Sequence, residues 1–296
     1  MKNHNSKTKT KLRELLQLRA KGITDPAGRK LEILEDTEAT AIANECRSTV
    51  HEVYAQALKL GICPYRYERN MEIISLKDQL KLAESKVSVI GAGGLGGHVI
   101  LLLARLGIGR LVVVDHDVFD ESNLNRQALS NLNSLGSSKC ETAAAAVVLI
   151  NPGVEVSPYQ VKLDSLNGNE ILGDSDVVVD ALDNLPDRLL LEKLTKELGI
   201  PLVHGALAGF EGQVMSIFPE DPGLRHLYGD DVQHIDKSKS PESVLGVPTL
   251  TPSLVATLEA MEVLKIILKR GKIFRNAMLY VDMEAGQINE FTFGGG

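Results

Sequence analysis

The chain has 296 residues, of which 44% are hydrophobic and only 4% aromatic, so aliphatic side chains are expected to fill a sizeable core. The formal net charge of −7 argues against nucleic-acid binding, which needs a net basic face. The three cysteines form no CxxC pair, and neither a signal peptide nor a long apolar membrane span is evident. These features predict a cytoplasmic protein without disulfides or structural zinc, and without nucleic-acid or membrane partners.

The first 64 residues carry helical patterns. The string LRELLQLRA has the spacing of a short amphipathic helix, and the turn-forming string TDPAG breaks it. Apolar residues then recur at helical spacing from Thr37 to Leu58, which predicts a helical stripe ended by Gly61 and Pro64. None of these strings carries catalytic chemistry, so residues 1–64 are expected to form a small helical N-terminal extension of the main domain.

From about residue 85 onward, strand-type and helix-type strings alternate. KVSVI, RLVVVD and SDVVVDAL are typical of parallel strands buried on both faces, and VEVSPYQVK and PLVHGAL are further predicted strands. Helical strings lie between them, and EGQVMSIF, NAMLYVDM and INEFTF indicate antiparallel strands near the C-terminus. The predicted fold class is α/β: a Rossmann-like, doubly wound, mostly parallel sheet with antiparallel C-terminal strands, in a domain of residues 65–296.

A glycine cluster follows the first predicted strand and opens the next helix. Glycines at these positions allow a tight turn and let backbone N–H groups approach a phosphate at the helix N-terminus. Asp115 ends the second strand, where its carboxylate can accept hydrogen bonds from ribose hydroxyls. The pattern predicts a site for an adenosine nucleotide without distinguishing NAD from ATP. Its predicted ligands are Gly91, Gly93, Gly94, Gly96 and Asp115.

Polar and basic residues beyond the glycines favour ATP. The string SNLNRQ follows an acidic loop, Lys139 begins a later helix, and ALDNLPDR follows another strand. Cations beside a ribose-binding aspartate suit a triphosphate, and a carboxylate such as Asp183 near the phosphates is expected to hold a divalent cation. The predicted cofactors are therefore ATP and Mg²⁺. The predicted ligands from this part of the chain are Asp117, Ser122, Asn123, Arg126, Gln127, Lys139, Asp183, Asn184 and Arg188.

Taken together, these strings resemble a known family. GAGGLGG, DHDVFDESNLNRQ, Lys139, ALDNLPDR and EGQV are similar to motifs of the MoeB/ThiF/HesA family, the bacterial relatives of ubiquitin-activating enzymes. Members of this family use Mg·ATP to adenylate the C-terminal glycine of small ubiquitin-like sulfur carriers and release pyrophosphate. The resemblance therefore implies an adenylyltransferase for a carrier ending in Gly-Gly, of the molybdenum/tungsten cofactor or thiamine type.

The resemblance also implies individual roles. Gly94 would meet the phosphates, Asp115 the ribose, and Asn123 the triphosphate. The string RYERN at 66–70 resembles the family's RYxRQ, with Asn70 in place of the final glutamine, so Arg69 would be an arginine finger that reaches the other protomer of a homodimer. With Asp183 as the magnesium ligand, the implied catalytic residues are Arg69, Arg126, Lys139 and Asp183.

The sequence also departs from the family. Many members hold a structural zinc ion with two CxxC pairs, and those that form a thioester or persulfide carry a cysteine before the last long helix; this chain has neither feature. Cys140, beside Lys139, is expected to be a buried thiol. The reaction is therefore predicted to stop at the acyl-adenylate, with a partner's thiol completing it. No proton-transfer role is assigned to His98, His116 or His204, and Gly294–Gly296 are expected to form a flexible tail.

Other functions stay open at this stage. The same ATP chemistry could act on a tRNA base or a small carboxylate, although the acidic composition weighs against tRNA. A non-catalytic nucleotide-binding partner is another alternative, but it would have no physical need for Arg69, Arg126, Lys139 and Asp183 together. A dehydrogenase is the most distant alternative, because hydride transfer needs little of this cationic set.

Overall fold

A computed structural model describes residues 2–229 and 240–293, with side chains from Thr10 onward. The predicted tail Gly294–Gly296 and part of the loop before the last long helix lie outside the described residues. The chain divides into two compact units. The first contains Met1–Ser85, Ala104–Arg110 and Val148–Glu155, and the second contains Lys86–Leu103, Leu111–Val147 and Val156–Gly296. The predicted boundary at residue 64 stays a prediction.

The first unit begins with a helix and a β-hairpin. Helix α1 spans Lys2–Arg19, and strands β1, Lys21–Thr24, and β2, Lys30–Leu34, pair antiparallel. The string TDPAG forms the hairpin turn, in which Asp25 Oδ1 accepts hydrogen bonds from the N–H groups of Ala27 at 2.9 Å and Arg29 at 2.8 Å. The N-terminal stretch therefore contains a strand pair in addition to its predicted helices.

The predicted helical stripe from Thr37 to Leu58 is two helices. Helix α2 spans Asp36–Cys46 and ends at Arg47, which has a left-handed φ of 51°. Helix α3, Val50–Lys59, starts at Thr49, whose side chain forms a capping box with Glu52. Strand β3, Cys63–Pro64, pairs parallel with β2, and a 3₁₀ helix, Tyr65–Asn70, precedes helix α4, Leu76–Glu84. Two features explain the break: the left-handed Arg47 ends α2, and the Thr49 cap starts α3.

The helices of the first unit pack around aliphatic side chains. Leu16, Ile42 and Val53 are fully buried in this cluster. A charged group borders it, in which Asp36 accepts hydrogen bonds from Tyr54 Oη and from Arg66. Arg66 also donates to the Ile150 carbonyl at 2.6 Å.

The second unit is built on an eight-stranded sheet. Its order is β11-β10-β9-β8-β7-β4-β5-β6. The β4–β7 and β7–β8 pairs are parallel, whereas β8–β9, β9–β10 and β10–β11 are antiparallel. The strands are β4 (Lys86–Ile90), β5 (Arg110–Val114), β6 (Glu155–Tyr159), β7 (Val177–Asp180), β8 (Leu202–Ala208), β9 (Glu211–Ile217), β10 (Ala277–Asp282) and β11 (Gln287–Thr292).

Helices connect these strands. The strand order reverses at β4, which lies between β5 and β7, and ligands of open α/β sheets bind at such a switch point. The helices described are α5 (Gly94–Leu106), α6 (Lys139–Ile150), α7 (Gly168–Leu172), α8 (Leu185–Leu198), α9 (Leu224–Tyr228), α10 (Pro241–Leu245) and α11 (Leu250–Leu268).

The central strands of this sheet are apolar and buried, as the strings KVSVI and VVVD predict. Val87, Val89, Val178 and Val179 have no exposed surface. The α/β fold class with antiparallel C-terminal strands is confirmed. None of the helices in the described part of the chain is long and apolar enough to span a bilayer.

Candidate functional site

The glycine turn after β4 is built by two glycines that the backbone requires. Gly91 has a φ of +100°, and a Cβ there would lie 2.5 Å from the Ala181 carbonyl oxygen. A Cβ at Gly96 would lie 1.8 Å from the Gly91 carbonyl oxygen. Both positions exclude any larger residue, since the turn closes against itself and against the chain that leaves β7.

The two glycines between them have room for a side chain within the structure. A Cβ at Gly93 would lie 3.7 Å from Gln127 Nε2, and one at Gly94 would lie 3.6 Å from Arg126 Cγ, both ordinary contact distances. Gly94 begins α5, whose N-terminal N–H groups carry the positive end of the helix dipole. Packing therefore does not require glycine here, whereas the close approach of a phosphate to the backbone would.

Asp115 connects the glycine turn to the end of β5. Its Oδ2 accepts a hydrogen bond from Ala92 N–H at 2.7 Å, and its Oδ1 accepts one from Asp117 N–H at 2.8 Å. The partly exposed carboxylate keeps acceptor capacity beyond these two bonds. The predicted ribose ligand thus lies beside the predicted phosphate turn.

Lys139 lies almost buried beside Asp117. Its Nζ is 3.1 Å from Asp117 Oδ2, and its backbone N–H donates to the Asp117 carbonyl at 3.1 Å. The Lys139 side chain is 9% exposed, whereas that of Asp117 is 54% exposed. The ion pair and the burial restrict the Lys139 side chain, so its positive charge has a fixed position near the end of the strand.

His116 completes a small group of potential metal ligands. Within the described ranges, Asp115, His116 and Asp117 each offer one ligand atom, and these atoms lie within 4.8 Å of one another. Asp183, the predicted magnesium ligand, is not part of this group. Exposed acidic groups occur commonly without an ion, so this geometry alone does not identify a metal site.

The string SNLNRQ forms a loop whose side chains have unequal exposure. The carbonyl of Ser122 accepts a hydrogen bond from Arg126 Nη1 at 2.9 Å. Asn123 is buried, and its Oδ1 accepts from the Asp120 N–H at 3.1 Å, so its side chain holds the 3₁₀ turn Glu121–Asn123. Arg126 is partly exposed beside Gly94, and Gln127 is buried beside Gly93. Arg126 is thus the charged group of this loop that borders the glycine turn.

The segment between β7 and α8 carries Asp183 and Asn184. Asp183 is exposed, and its Oδ1 accepts a hydrogen bond from Asn184 Nδ2 at 3.2 Å. Asn184 caps α8, because its Oδ1 accepts from the Asp187 N–H at 3.0 Å. The Asp183 carboxylate is therefore accessible to a hard cation, whereas the side-chain oxygen of Asn184 already accepts the hydrogen bond that caps α8.

Arg188 is buried and directed at the protein backbone. Its Nε and Nη2 donate to the Leu182 carbonyl at 3.2 and 2.6 Å, and its Nε lies 3.9 Å from Asp180 Oδ2. Asp180 also accepts from His204 Nδ1 at 2.7 Å. Direct contact between Arg188 and ATP stays a prediction, whereas its hydrogen bonds to the Ala181–Asn184 segment are observed.

Two buried residues near Arg188 were not singled out from the sequence. Asp180 ends the apolar string SDVVVD, and Glu259 falls within the buried face of α11 together with Val255, Ala256 and Val263. The signal was available in both cases, because an ionisable side chain at an apolar position of the pattern needs a partner or a shifted pKa.

The cysteines are free and buried. Burial raises the pKa of Cys63 to about 12 and raises the pKa of Cys140 above its usual range. The expectation that Cys140 is a buried thiol is confirmed. Thiols in this state are poor nucleophiles.

Arg69 belongs to the first unit, in the 3₁₀ helix Tyr65–Asn70. Its side chain is 80% exposed, and its Nε lies 3.2 Å from Glu68 Oε2. Its predicted role as an arginine finger, and the homodimer that this role implies, stay predictions.

The sequence pattern described as the ThiF family matches residues 67–294. The chain belongs to the ThiF family. Two similar relatives are the SAMP-activating enzyme E1 of Haloferax volcanii, 40% identical with 73% of this chain and 80% of that protein covered, and the sulfur carrier protein adenylyltransferase of Thermus thermophilus, 37% identical with 77% and 86% covered. The predicted family and the adenylyltransferase class are confirmed by these matches.

A third relative, the probable molybdopterin-synthase adenylyltransferase of Porphyra purpurea, is 37% identical over 72% of this chain, which spans 56% of that relative's length. This chain likewise spans 54% and 55% of the lengths of two further relatives. Among solved structures, PaaA has a TM-score of 0.67 at 22% identity, with 78% of this chain and 82% of that chain covered. E. coli MccB has a TM-score of 0.65 at 23% identity, with 77% and 70% covered, and both neighbours share the fold.

Proposed function

We propose that this chain uses Mg·ATP to adenylate the C-terminal glycine carboxylate of a ubiquitin-like sulfur-carrier protein and releases pyrophosphate. The names of its relatives, which include a sulfur carrier protein adenylyltransferase and a molybdopterin-synthase adenylyltransferase, support this class of acceptor. The observation that carries the proposal is the glycine turn, which is left open at Gly93 and Gly94 beside the cation Arg126.

The nucleotide would bind across the ends of β4 and β5. The N–H groups at the start of α5 and the Arg126 guanidinium would face the phosphates. The Lys139 ammonium, already fixed beside Asp117, would add a second cation. Asp115 would accept hydrogen bonds from the ribose, since its carboxylate retains free acceptor positions.

Asp183 fits the requirements of a magnesium ligand. Mg²⁺ prefers carboxylate oxygens and keeps several of its water ligands. Asp183 offers a carboxylate, and its exposure leaves room for those waters. A bound Mg²⁺ would neutralise the charge that develops on the departing pyrophosphate.

For this reaction the protein has to position the two substrates and stabilise the charge on the phosphates. The attacking glycine carboxylate is already ionised, so the reaction needs no general base. Its oxygen forms a bond to the α-phosphorus while the bond from the α-phosphorus to the bridging oxygen of pyrophosphate breaks. Arg126 and Lys139 stabilise the charge on the phosphates as it redistributes.

The buried state of Cys46, Cys63 and Cys140 supports a reaction that ends at the acyl-adenylate. An external thiol, supplied by a partner, would then take the acyl group. Free cysteines also suit the reducing cytoplasm, which is the compartment we propose.

We further propose a homodimer in which Arg69 of each protomer serves the active site of the other. The high exposure of the Arg69 side chain supports this arrangement, because an arginine that reaches another protomer must extend away from the surface of its own protomer. An arginine placed at the phosphates would stabilise transition-state charge.

Pyrophosphate release in the presence of ATP, Mg²⁺ and a carrier ending in Gly-Gly tests the proposal. We expect release with the intact carrier and none with a carrier that lacks its last glycine. Asp183→Asn should abolish release, whereas Glu170→Gln, which removes an equal charge from the exposed surface of α7, should not. Equal release from the Asp183→Asn variant and the unmodified enzyme would contradict the magnesium role, and release that requires tRNA or a small carboxylate would replace the acceptor.

A further inference from the structure

A group of four ionisable residues lies buried behind the segment Ala181–Asn184. Asp180 ends β7, Arg188 lies on α8, His204 on β8 and Glu259 on α11. Their exposed fractions are 0% for Asp180, His204 and Glu259 and 5% for Arg188. Such a concentration of charge in a core is costly unless each group has a partner.

Asp180 is the centre of this group. Its Oδ1 accepts a hydrogen bond from the Leu182 N–H at 3.0 Å, and its Oδ2 accepts one from His204 Nδ1 at 2.7 Å. Arg188 adds its two hydrogen bonds to the Leu182 carbonyl. Both polar groups of the Leu182 peptide backbone are therefore held by buried side chains, one residue before Asp183.

His204 takes part as a neutral imidazole. A carboxylate oxygen accepts at Nδ1, so Nδ1 carries the proton and Nε2 is left as an acceptor. Tyr228 Oη lies 3.4 Å from that Nε2, and Gln213 Nε2 donates to Tyr228 Oη at 2.6 Å. Burial lowers the pKa of His204, which agrees with this arrangement. The chain of donors runs in one direction, from Gln213 to Asp180.

Glu259 is the unusual member. No donor among the described residues lies within hydrogen-bonding distance of either of its carboxyl oxygens. Its carboxyl group occupies the space that Gly205 leaves open, since a Cβ at Gly205 would lie 2.5 Å from Glu259 Oε1. Among the described residues, the charged groups that act electrostatically on Glu259 are Asp180 from β7 and Arg188 from α8. A carboxylate without a donor, beside another carboxylate, is unfavourable in a core.

We infer that Asp180, Arg188, His204 and Glu259 form a positioning cluster that fixes the backbone of Ala181–Asn184, and that Glu259 takes part as a neutral carboxylic acid. The cluster rests on the proposed function in one respect, because the segment it fixes carries the magnesium ligand Asp183. With Glu259 neutral, Arg188 pairs with Asp180 and donates to the Leu182 carbonyl without competition from a second fully buried carboxylate.

The protonation state of Glu259 has a consequence at high pH. Burial, and then the Asp180 carboxylate, raise the pKa of Glu259 well above its usual range, while Arg188 opposes the rise. As the pH rises through that raised value, a second buried carboxylate forms and competes with Asp180 for Arg188. The hold on the Leu182 carbonyl then weakens, and the Asp183 segment loosens.

Hydrogen exchange of the peptide that covers residues 181–184, measured on the full chain without carrier, reports the cluster directly. Amide exchange is itself base-catalysed, so the quantity compared is the measured rate divided by the intrinsic rate of the unstructured peptide at the same pH. This ratio should rise at alkaline pH in the unmodified protein, and this alkaline rise should be absent in Glu259→Gln. Glu262→Gln is the matched control, because Glu262 is also a buried carboxylate on α11. Unlike Glu259, it accepts hydrogen bonds from Ser216 Oγ at 2.7 Å and Phe274 N–H at 2.9 Å. The Glu262→Gln variant should therefore show the same alkaline rise as the unmodified protein.

Calorimetric binding of Mg·ATP gives the second readout. Arg188→Met should speed exchange at 181–184 and weaken Mg·ATP binding by about 10- to 100-fold, as loss of a supporting partner does at other metal sites. Arg188→Lys should recover only part of this, because lysine lacks the two-pronged donor. If Arg188→Met does not fold, the pH profiles of Glu259→Gln and Arg188→Lys still decide.

Some results would overturn the inference. An alkaline rise in Glu259→Gln equal to that of the unmodified protein would do so, as would tenfold weaker Mg·ATP binding by Glu259→Gln at neutral pH, since a charged Glu259 would then be required. Failure of the proposed function looks different: the unmodified enzyme would release no pyrophosphate with any carrier, while exchange at 181–184 would still respond to these variants.

Discussion

Lys139 Nζ lies 3.1 Å from Asp117 Oδ2, so a nearly buried cation is held by an exposed carboxylate just beyond the end of β5. The pair places a positive charge next to Asp115, whose carboxylate joins β5 to the glycine turn. In the proposed reaction this charge faces the phosphates of ATP, and the ion pair with Asp117 holds the lysine in position.

Replacing Lys139 tests that role. Lys139→Met should lower the rate of pyrophosphate release by about 10²- to 10³-fold, because a fixed charge that faces the phosphates is removed. The control is Lys272→Met, which removes a lysine paired with Glu290 on the edge strand β11. The control should change the rate by less than about twofold, as expected for an exposed ion pair. Similar rates for both variants would exclude Lys139 from the site.

The two kinds of glycine should respond differently to alanine. Gly94→Ala should fold normally, since its Cβ finds 3.6 Å of clearance, but it should weaken ATP binding by about 10- to 100-fold by displacing the phosphates. Gly96→Ala should lower the free energy of unfolding by about 3 kcal/mol, because its Cβ would overlap the Gly91 carbonyl. Thermal unfolding and ATP titration of both variants separate the effects; unchanged ATP affinity in Gly94→Ala would contradict the phosphate role.

The first unit should lose stability in acid through Asp36. Burial opposes ionisation of this side chain, but hydrogen bonds from Arg66 and Tyr54 outweigh it and hold the pKa of Asp36 below its usual range. A carboxylate with a lowered folded-state pKa contributes stability above its unfolded value and loses it as the pH falls through the folded one.

Asp36→Asn should therefore lower the free energy of unfolding by about 1 kcal/mol at neutral pH, because the Asp36 side chain is 39% exposed and solvent screens its charge. The gap between Asp36→Asn and the unmodified protein should close as the pH falls below the usual range of an aspartate. Denaturant unfolding across that range measures it, and a gap that is independent of pH would show that the charge of Asp36 is not the cause.

Mixing two inactive variants tests the exchange of Arg69 between protomers. Arg69→Ala and Lys139→Met should each be inactive alone, but a mixed dimer would contain one complete site. With random assortment in a two-fold dimer, the mixture should recover roughly a quarter of the activity of the unmodified enzyme. No recovery, with dimers confirmed by light scattering, would place Arg69 outside the partner's site.

Periodic patterns predicted much of the second unit. The strings KVSVI, SDVVVDAL and EGQVMSIF correspond to β4, β7 and β9, because strands buried in a sheet consist mainly of apolar, β-branched residues. The glycine motif could also be recognised in the sequence, and the close contact between Gly96 and the Gly91 carbonyl lies within the motif itself.

What could not be predicted depends on contacts distant in the sequence. The hairpin of β1 and β2 forms around the turn that Asp25 closes, and the same string read alone only ends a helix. The motif predicts that Arg188 is a phosphate ligand, yet its guanidinium is directed to the Leu182 carbonyl and the Asp180 carboxylate. The charged groups that act on Glu259 lie on β7 and α8, which no local pattern on α11 reveals.

The most direct test of the account follows the oxygen of the carrier's terminal carboxylate. A carrier whose C-terminal glycine carboxyl group bears a heavy oxygen isotope is incubated with the enzyme, ATP, Mg²⁺ and an external thiol, and the AMP is examined by mass spectrometry. Attack of the carboxylate on the α-phosphorus, followed by attack of the thiol on the acyl carbon, leaves the labelled oxygen in AMP. Labelled AMP is the predicted result; unlabelled AMP, or ADP as the nucleotide product, would contradict carboxylate adenylation.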